Sequence, residues 1–127
     1  MPLVRIDIRR NPDPSHVRKL GAVVYEALKA TIGVPDRDNF QILNEHDEQH
    51  FVYDPAYLGI ERTDGMVFIQ ITISEGRTVE QKKLLYQRIA EGLHAEAGVR
   101  LEDVFINLLE VKKENWSFGN GLAQYVT

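Results

Sequence analysis

The sequence predicts an α+β fold made of two tandem βαβ units, a four-stranded sheet with both helices on one face and a C-terminal hairpin. Three observations carry this: apolar alternation at period two, apolar helical stripes after it, and a repeat of the whole plan. Val4, Ile6 and Ile8 alternate with polar partners, the signature of a half-buried strand. Val17, Leu20, Val24, Leu28 and Ile32 then recur at three and four residues, one apolar face of a helix. Val67, Ile69, Ile71 and Ile73 alternate again, and Leu85, Ile89, Leu93 and Ala97 form a second stripe. Val4 to Val67 and Ile6 to Ile69 are each 63 positions apart. Leu28 to Leu93, Gly33 to Gly98, Asp38 to Asp103 and Phe40 to Phe105 are each 65 apart, so the first loop differs by two residues.

The elements follow in order. The first strand ends at Asn11-Pro12-Asp13-Pro14, where Asp13 can cap a helix and Pro14 can take its first position. Gly33 offers a left-handed stop with Pro35 beyond it, and a second strand is expected at about 39–44. The units span about 2–45 and 66–111 of one domain covering 1–127. Between them, Glu45 to Asp64 is a long linker with a short hairpin expected near Phe51 to Tyr53. In the second unit Thr78 with Gln81 reads as a capping box, Gly98 ends the helix and 104–110 is strand-like. Gly119-Asn120-Gly121 marks the turn of a hairpin at about 114–125. Each βαβ crossover is right-handed, which puts both helices on one side. The other face of a sheet rich in Val, Ile, Leu and Phe would then pack on further copies of the chain.

Composition narrows the function. At 127 residues the chain can bury a core without staples, and with no cysteine it has no disulfide, thiol catalyst or Cys-based zinc site. The net charge of −4 and the lack of any basic cluster longer than a pair argue against nucleic acid. No stretch has membrane-spanning length and the start lacks an apolar leader, so a cytoplasmic protein is expected. Glu45-His46-Asp47-Glu48-Gln49-His50 resembles a metal tract loosely, but a solvated charge run in a loop is the better reading; no metal and no cofactor is expected.

Two residues stand out chemically. Removal of Met1 would make Pro2 a secondary amine, with an α-amine reference pKa of about 7.7–8.0, heading a strand. Burial beside a cation would lower that value, leaving a base usable near neutral pH. Met-Pro is also a common start, and a retained Met1 would acylate Pro2 and abolish the base. Arg77 sits where a strand gives way to a helix. Helix amides and a planar guanidinium can together hold a carboxylate, whereas a helix start is a poor place for an idle cation.

These features resemble the tautomerase superfamily. Glu75-Gly76-Arg77-Thr78-Val79-Glu80-Gln81-Lys82 is similar to the run that follows the first strand in 4-oxalocrotonate tautomerase. Pro2-Leu3, Gly33-Val34-Pro35 with Asp38, and Trp116-Ser117-Phe118-Gly119 with Gly121 look like malonate semialdehyde decarboxylase and its relatives, over nearly the whole chain. The resemblance implies a homotrimer acting on a small oxo acid, with Pro2 moving the proton, Arg77 binding the carboxylate and Asp38 working with the proline. Asp38 also fits a plain turn carboxylate after Pro35, as its counterpart Asp103 suggests. Trp116 and Phe118 would wall off a substrate pocket, or pack the tail onto the sheet or a neighbour. One departure matters: the decarboxylase has two arginines flanking one residue, and this chain has Glu75 where the second would fall. Arg37 could compensate. Keto–enol tautomerisation needs one base and one cation, so it ranks above decarboxylation and above hydration of acetylenic or haloacrylic acids. A trimeric member without a working site is the alternative of another kind.

Overall fold

A computed structural model of the chain describes residues 1–126. Strand β1 (Leu3–Arg9), helix α1 (His16–Ile32) and strand β2 (Phe40–His46) form the first unit; β3 (Val67–Ser74), α2 (Val79–Ala97) and β4 (Val104–Val111) form the second. The strands lie in the order β2-β1-β3-β4. Within each unit the strands are parallel, and β1 meets β3 antiparallel. Ile6 pairs directly with Ile69, its repeat counterpart, while Val4 pairs with Ile71 and Ile8 with Val67. A pseudo-two-fold axis therefore runs between β1 and β3 at Ile6, and the two units are the same object turned over.

The β-branched residues of the alternating strands, Val4, Ile6, Ile8, Ile69, Ile71 and Ile73, all face the helices and are buried with Leu20, Val24, Leu28, Leu85, Ile89 and Leu93. Burying one such side chain contributes about 1.5–3 kcal/mol. The helices touch closely where Gly92 faces Val23, since an added Cβ there would stand 2.8 Å from Val23 Cγ1. The uncovered face is less apolar than expected. Phe40, Ile42, Phe105 and Leu109 are exposed there, but around a polar middle of Arg5, Asp7, Gln70 and Asn107. Period-two alternation sends the Val and Ile side chains to the helix side and leaves the polar partners outside. Among the described residues no helix is long and apolar enough to cross a membrane.

Local signals mostly fold as they read. Thr78 and Gln81 form a reciprocal capping box, and Gly33 and Gly98 close their helices at φ 70° and 67°. The start of α1 differs: the helix begins at His16, and Asp13 acts one turn earlier, its carboxylate accepting from the Ser15 amide at 2.9 Å and hydroxyl at 2.8 Å. Those bonds hold the Asp13 carboxyl below the usual carboxylate range. Strand β2 runs two residues further than expected, to His46. The hairpin near Phe51 to Tyr53 is absent. The chain makes a 3-10 turn at Glu48–His50 and buries Phe51 against Phe68, with ring centres 5.1 Å apart, so this segment caps the sheet instead of pairing with itself.

The C-terminal hairpin is reduced to one bridge, Gly119 with Leu122. Its turn is the expected kind, with Asn120 and Gly121 both at positive φ. The ladder is replaced by one side chain: Gln124 accepts from the Phe118 amide at 2.9 Å and donates to the Gly119 carbonyl at 2.8 Å.

Replacing Thr78 with alanine removes the cap that begins α2. The expected loss is about 1 kcal/mol in urea unfolding, against a change within about 0.5 kcal/mol for an exposed helix position such as Lys83→Ala.

Candidate active site

The pseudo-two-fold axis places two buried carboxylates in equivalent positions, each just ahead of the second strand of its unit. Asp103 is 2% exposed and well served: the Thr63 amide donates to Oδ1 at 2.8 Å, the Thr63 hydroxyl donates to Oδ2, and Arg100 stands 3.6 Å away. Asp38 is 7% exposed, yet neither of its oxygens receives a hydrogen bond from any described residue. Its one ion-pair partner among the described residues is the terminal ammonium on Met1, 3.2 Å from Oδ2, within ion-pair reach but not aligned as a hydrogen bond. A lone buried carboxylate is costly without such a cation. In the second unit the chain entering β3 supplies amide and hydroxyl; in the first, the chain entering β1 supplies its own terminus.

The loop that delivers Asp38 is held by α1. The Tyr25 hydroxyl accepts from the Arg37 amide at 3.0 Å, and the Asp38 amide donates to Pro35 O at 3.3 Å. Arg37 takes a left-handed φ of 72° to make this turn, and its side chain is exposed.

On the other side of the terminus, β3 ends at Ser74, and Glu75, Gly76 and Arg77 lead into the Thr78 cap. Ser74 is buried and joins two functional candidates. Its carbonyl accepts from Arg77 Nη1 at 3.0 Å, and its hydroxyl accepts from the Trp116 indole at 3.0 Å. Trp116 stacks on Phe118, with ring centres 5.3 Å apart and planes 19° apart; Phe118 takes the edge of Tyr125 at 4.9 Å. Glu75 is exposed and lines a separate surface hollow with Lys112, Lys113 and Tyr125.

Beside the terminus lies a cavity of about 210 Å³, lined by Met1, Pro2, Leu3, Phe40, Trp116, Ser117 and Phe118. Of the residues expected from sequence, Pro2, Trp116 and Phe118 line it directly. Asp38 borders it through the terminal amine, and Arg77 stands behind Ser74, outside the lining. Arg37 does not join them. A larger hollow of about 520 Å³ lies on the open sheet face, by Asp7, His46, Phe51 and Phe68. Its size alone does not mark a site, because the chain terminus, the orphaned carboxylate and the aromatic wall are all elsewhere. The acidic tract of the linker is spent on local bonds: Glu45 accepts from the Asn11 amide, His46 meets Asp7 and His50 meets Asp47. Among the described residues no group of three His, Asp or Glu side chains could hold a metal ion.

Sequence reasoning missed Phe40, Ser74 and Tyr125. Tyr125 senses both charged candidates. Burial first and the Asp38 charge second push its phenol above the ordinary range, while Arg77 pulls it back.

Known proteins resemble this chain in sequence and in fold. Family models described as tautomerase enzyme match residues 38–119 and residues 2–60. The probable tautomerase YusQ of Bacillus subtilis is 44% identical over 126 residues, covering 99% of each chain. The chain belongs to the tautomerase family. Among solved structures, FG41 malonate semialdehyde decarboxylase inhibited by 3-bromopropiolate is 38% identical and superposes with a TM-score of 0.90, over 97% of this chain and 93% of that one. A fused 4-OT described as a symmetric trimer shares the fold at 24% identity, with a TM-score of 0.77 over 94% of each chain. The tandem βαβ plan is thus a tautomerase fold, and its likeness to the decarboxylase extends through the C-terminal segment that carries Trp116 and Phe118.

The Tyr125 environment has a measurable consequence for this tautomerase-family site. A raised phenol ionises at a higher pH than an ordinary tyrosine, whose reference is about 10. Absorbance at 295 nm should therefore show tyrosinate forming above pH 10 that Tyr125→Phe removes. Tyr53, raised mainly by its hydrogen bond to Asp64, supplies a second late component that Tyr53→Phe removes. Loss of a component below pH 10 in Tyr125→Phe would contradict the placement.

Proposed function

We propose that this protein is an isomerase that uses the amine of Pro2, freed by removal of Met1, to move a proton during keto–enol tautomerisation of a small oxo acid. The observation that supports the reading is Asp38: a buried carboxylate with no hydrogen-bond donor among the described residues, 3.2 Å from the ammonium of Met1, one residue before the amine that removal of Met1 would free on Pro2. The neutral amine takes the enol hydroxyl proton as the carbonyl forms. It then returns that proton to the adjacent carbon, so nothing is gained or lost. Asp38 steadies the amine in its cationic phase. Arg77, poised at the start of α2, swings from the Ser74 carbonyl to bind the substrate carboxylate. Trp116 and Phe118 exclude water, which strengthens these charge interactions.

The exposed Phe40, Ile42, Phe105 and Leu109 of the open face support assembly into a homotrimer, the state described for the fused 4-OT. Likeness to FG41 malonate semialdehyde decarboxylase supports decarboxylation as the second reading, with the same base and the same aspartate. It ranks below tautomerisation because Arg77 is the arginine bonded to Ser74 behind the wall, and Glu75 stands exposed where a second arginine would fall.

On protein shown by mass to begin at Pro2, an ultraviolet assay of phenylenolpyruvate ketonisation should give turnover that falls by about 10²–10⁴ in Pro2→Ala. In Arg77→Ala, KM should rise about tenfold or more, the loss of a charge-assisted hydrogen bond. Malonate semialdehyde turnover exceeding that of the enol would favour the second reading. No turnover of either substrate, or of 3-haloacrylates, would leave the non-catalytic family member standing.

A further inference from the structure

The folded chain holds Met1 from three directions. Its side chain is 17% exposed and lines the cavity, and its ammonium stands 3.2 Å from the buried Asp38. Pro2 is buried behind it, and Leu3 already belongs to β1. Because β1 is an inner strand, Leu3 is paired on both edges, with Phe40 of β2 and with Thr72 of β3. Chain ends fray and are cut where nothing ties them down. This end is tied by an ion pair, a cavity wall and two strand ladders.

An aminopeptidase needs the opposite kind of end. It has to draw the α-amine, the methionine side chain and the residues past the scissile bond into its own cleft. In the folded chain the amine is committed to Asp38, the side chain to the cavity and the following residues to the sheet. Releasing the amine would leave Asp38 buried with no partner among the described residues, a costly state. During synthesis the same end is free, because Phe40 and Thr72 lie 37 and 69 residues beyond Leu3. At ~5–20 residues per second, about 4–14 s pass before Thr72 has been made.

We infer that the Met1–Pro2 peptide bond is a processing site open only while β1 is unpaired, and that Asp38 is the latch that closes it once the chain folds. The partner of the unfolded end is a methionine aminopeptidase. In the cut, the hydroxyl of a water joins the methionine carbonyl carbon and the C–N bond breaks. The remaining proton passes to the Pro2 nitrogen, which becomes a secondary amine. A chain that folds with Met1 in place keeps Pro2 as an amide and keeps methionine in the cavity wall. How the amine is made does not depend on the reaction it then performs, so failure of the tautomerase reading would leave this step standing.

The test uses full-length chain made with the cellular aminopeptidase inhibited, folded, and shown by intact mass to retain Met1. Purified methionine aminopeptidase is added, and loss of methionine is followed by mass beside a peptide of residues 1–10. The folded chain should lose Met1 at least about a hundredfold more slowly than the peptide. Asp38→Asn should be cut about tenfold faster than the native chain. Tyr25→Phe, which frees the loop that carries Asp38, should be cut about threefold faster and serves where Asp38→Asn does not fold. Thr78→Ala weakens the start of α2 without touching the latch, and should change the rate within about twofold. Cleavage of the folded native chain within about a hundredfold of the peptide would overturn the inference. So would latch variants that are cut no faster than Thr78→Ala.

Discussion

Two carboxylates related by the pseudo-two-fold axis are buried in equivalent positions, and they differ in the partner that the passing chain supplies. A carboxylate as buried as Asp103 or Asp38 has to be satisfied by the chain that runs past it. Around Asp103 this is done permanently, by the backbone and side chain of Thr63. Around Asp38 the passing chain is the terminus itself, so the partner is an amine rather than an amide. An amide cannot accept a proton at neutral pH; an amine can. The same scaffold position is therefore met by an amide and a hydroxyl in one unit and by the terminal ammonium in the other.

The asymmetry extends to the cation and the wall. Pro2 and Asp38 belong to the first unit, whereas Arg77 heads the helix of the second and Trp116 follows its last strand. Ser74, at the end of β3, ties the two contributions from the second unit together through its carbonyl and hydroxyl. Because β1 and β3 are paired in the middle of the sheet, the ends that carry the proline and the serine are fixed by the same hydrogen-bond ladder. The sheet thus sets the relative positions of these strand ends.

How much of this could be read in advance follows the range of the interactions. Capping boxes and left-handed glycines are decided within four residues, and Thr78–Gln81, Gly33 and Gly98 all fold as their local pattern dictates. The repeat offset also anticipated the fold, since the counterparts Ile6 and Ile69 turn out to be cross-strand neighbours. Ser74 and Tyr125 were invisible because their meaning comes from distant partners; Trp116 reaches Ser74 across 42 positions. One expected hairpin is absent and the other is cut to a single bridge, for a related reason. Phe51 is buried against Phe68 on the inner strand β3 instead of pairing locally, and Gln124 replaces a strand ladder with its own amide.

The account turns on whether the Asp38 carboxylate and the chain's terminal amine satisfy each other. A stability cycle tests this without any substrate: unfolding free energies are measured for protein beginning at Pro2, with its terminus free or acetylated, each in the native sequence and in Asp38→Asn. If the pair exists, acetylation leaves a buried carboxylate alone and costs the native sequence about 3–5 kcal/mol. It should cost the Asp38→Asn background at least about 1 kcal/mol less. Equal losses in both backgrounds would mean that the two groups do not interact, and would remove the physical basis for placing the base at Pro2.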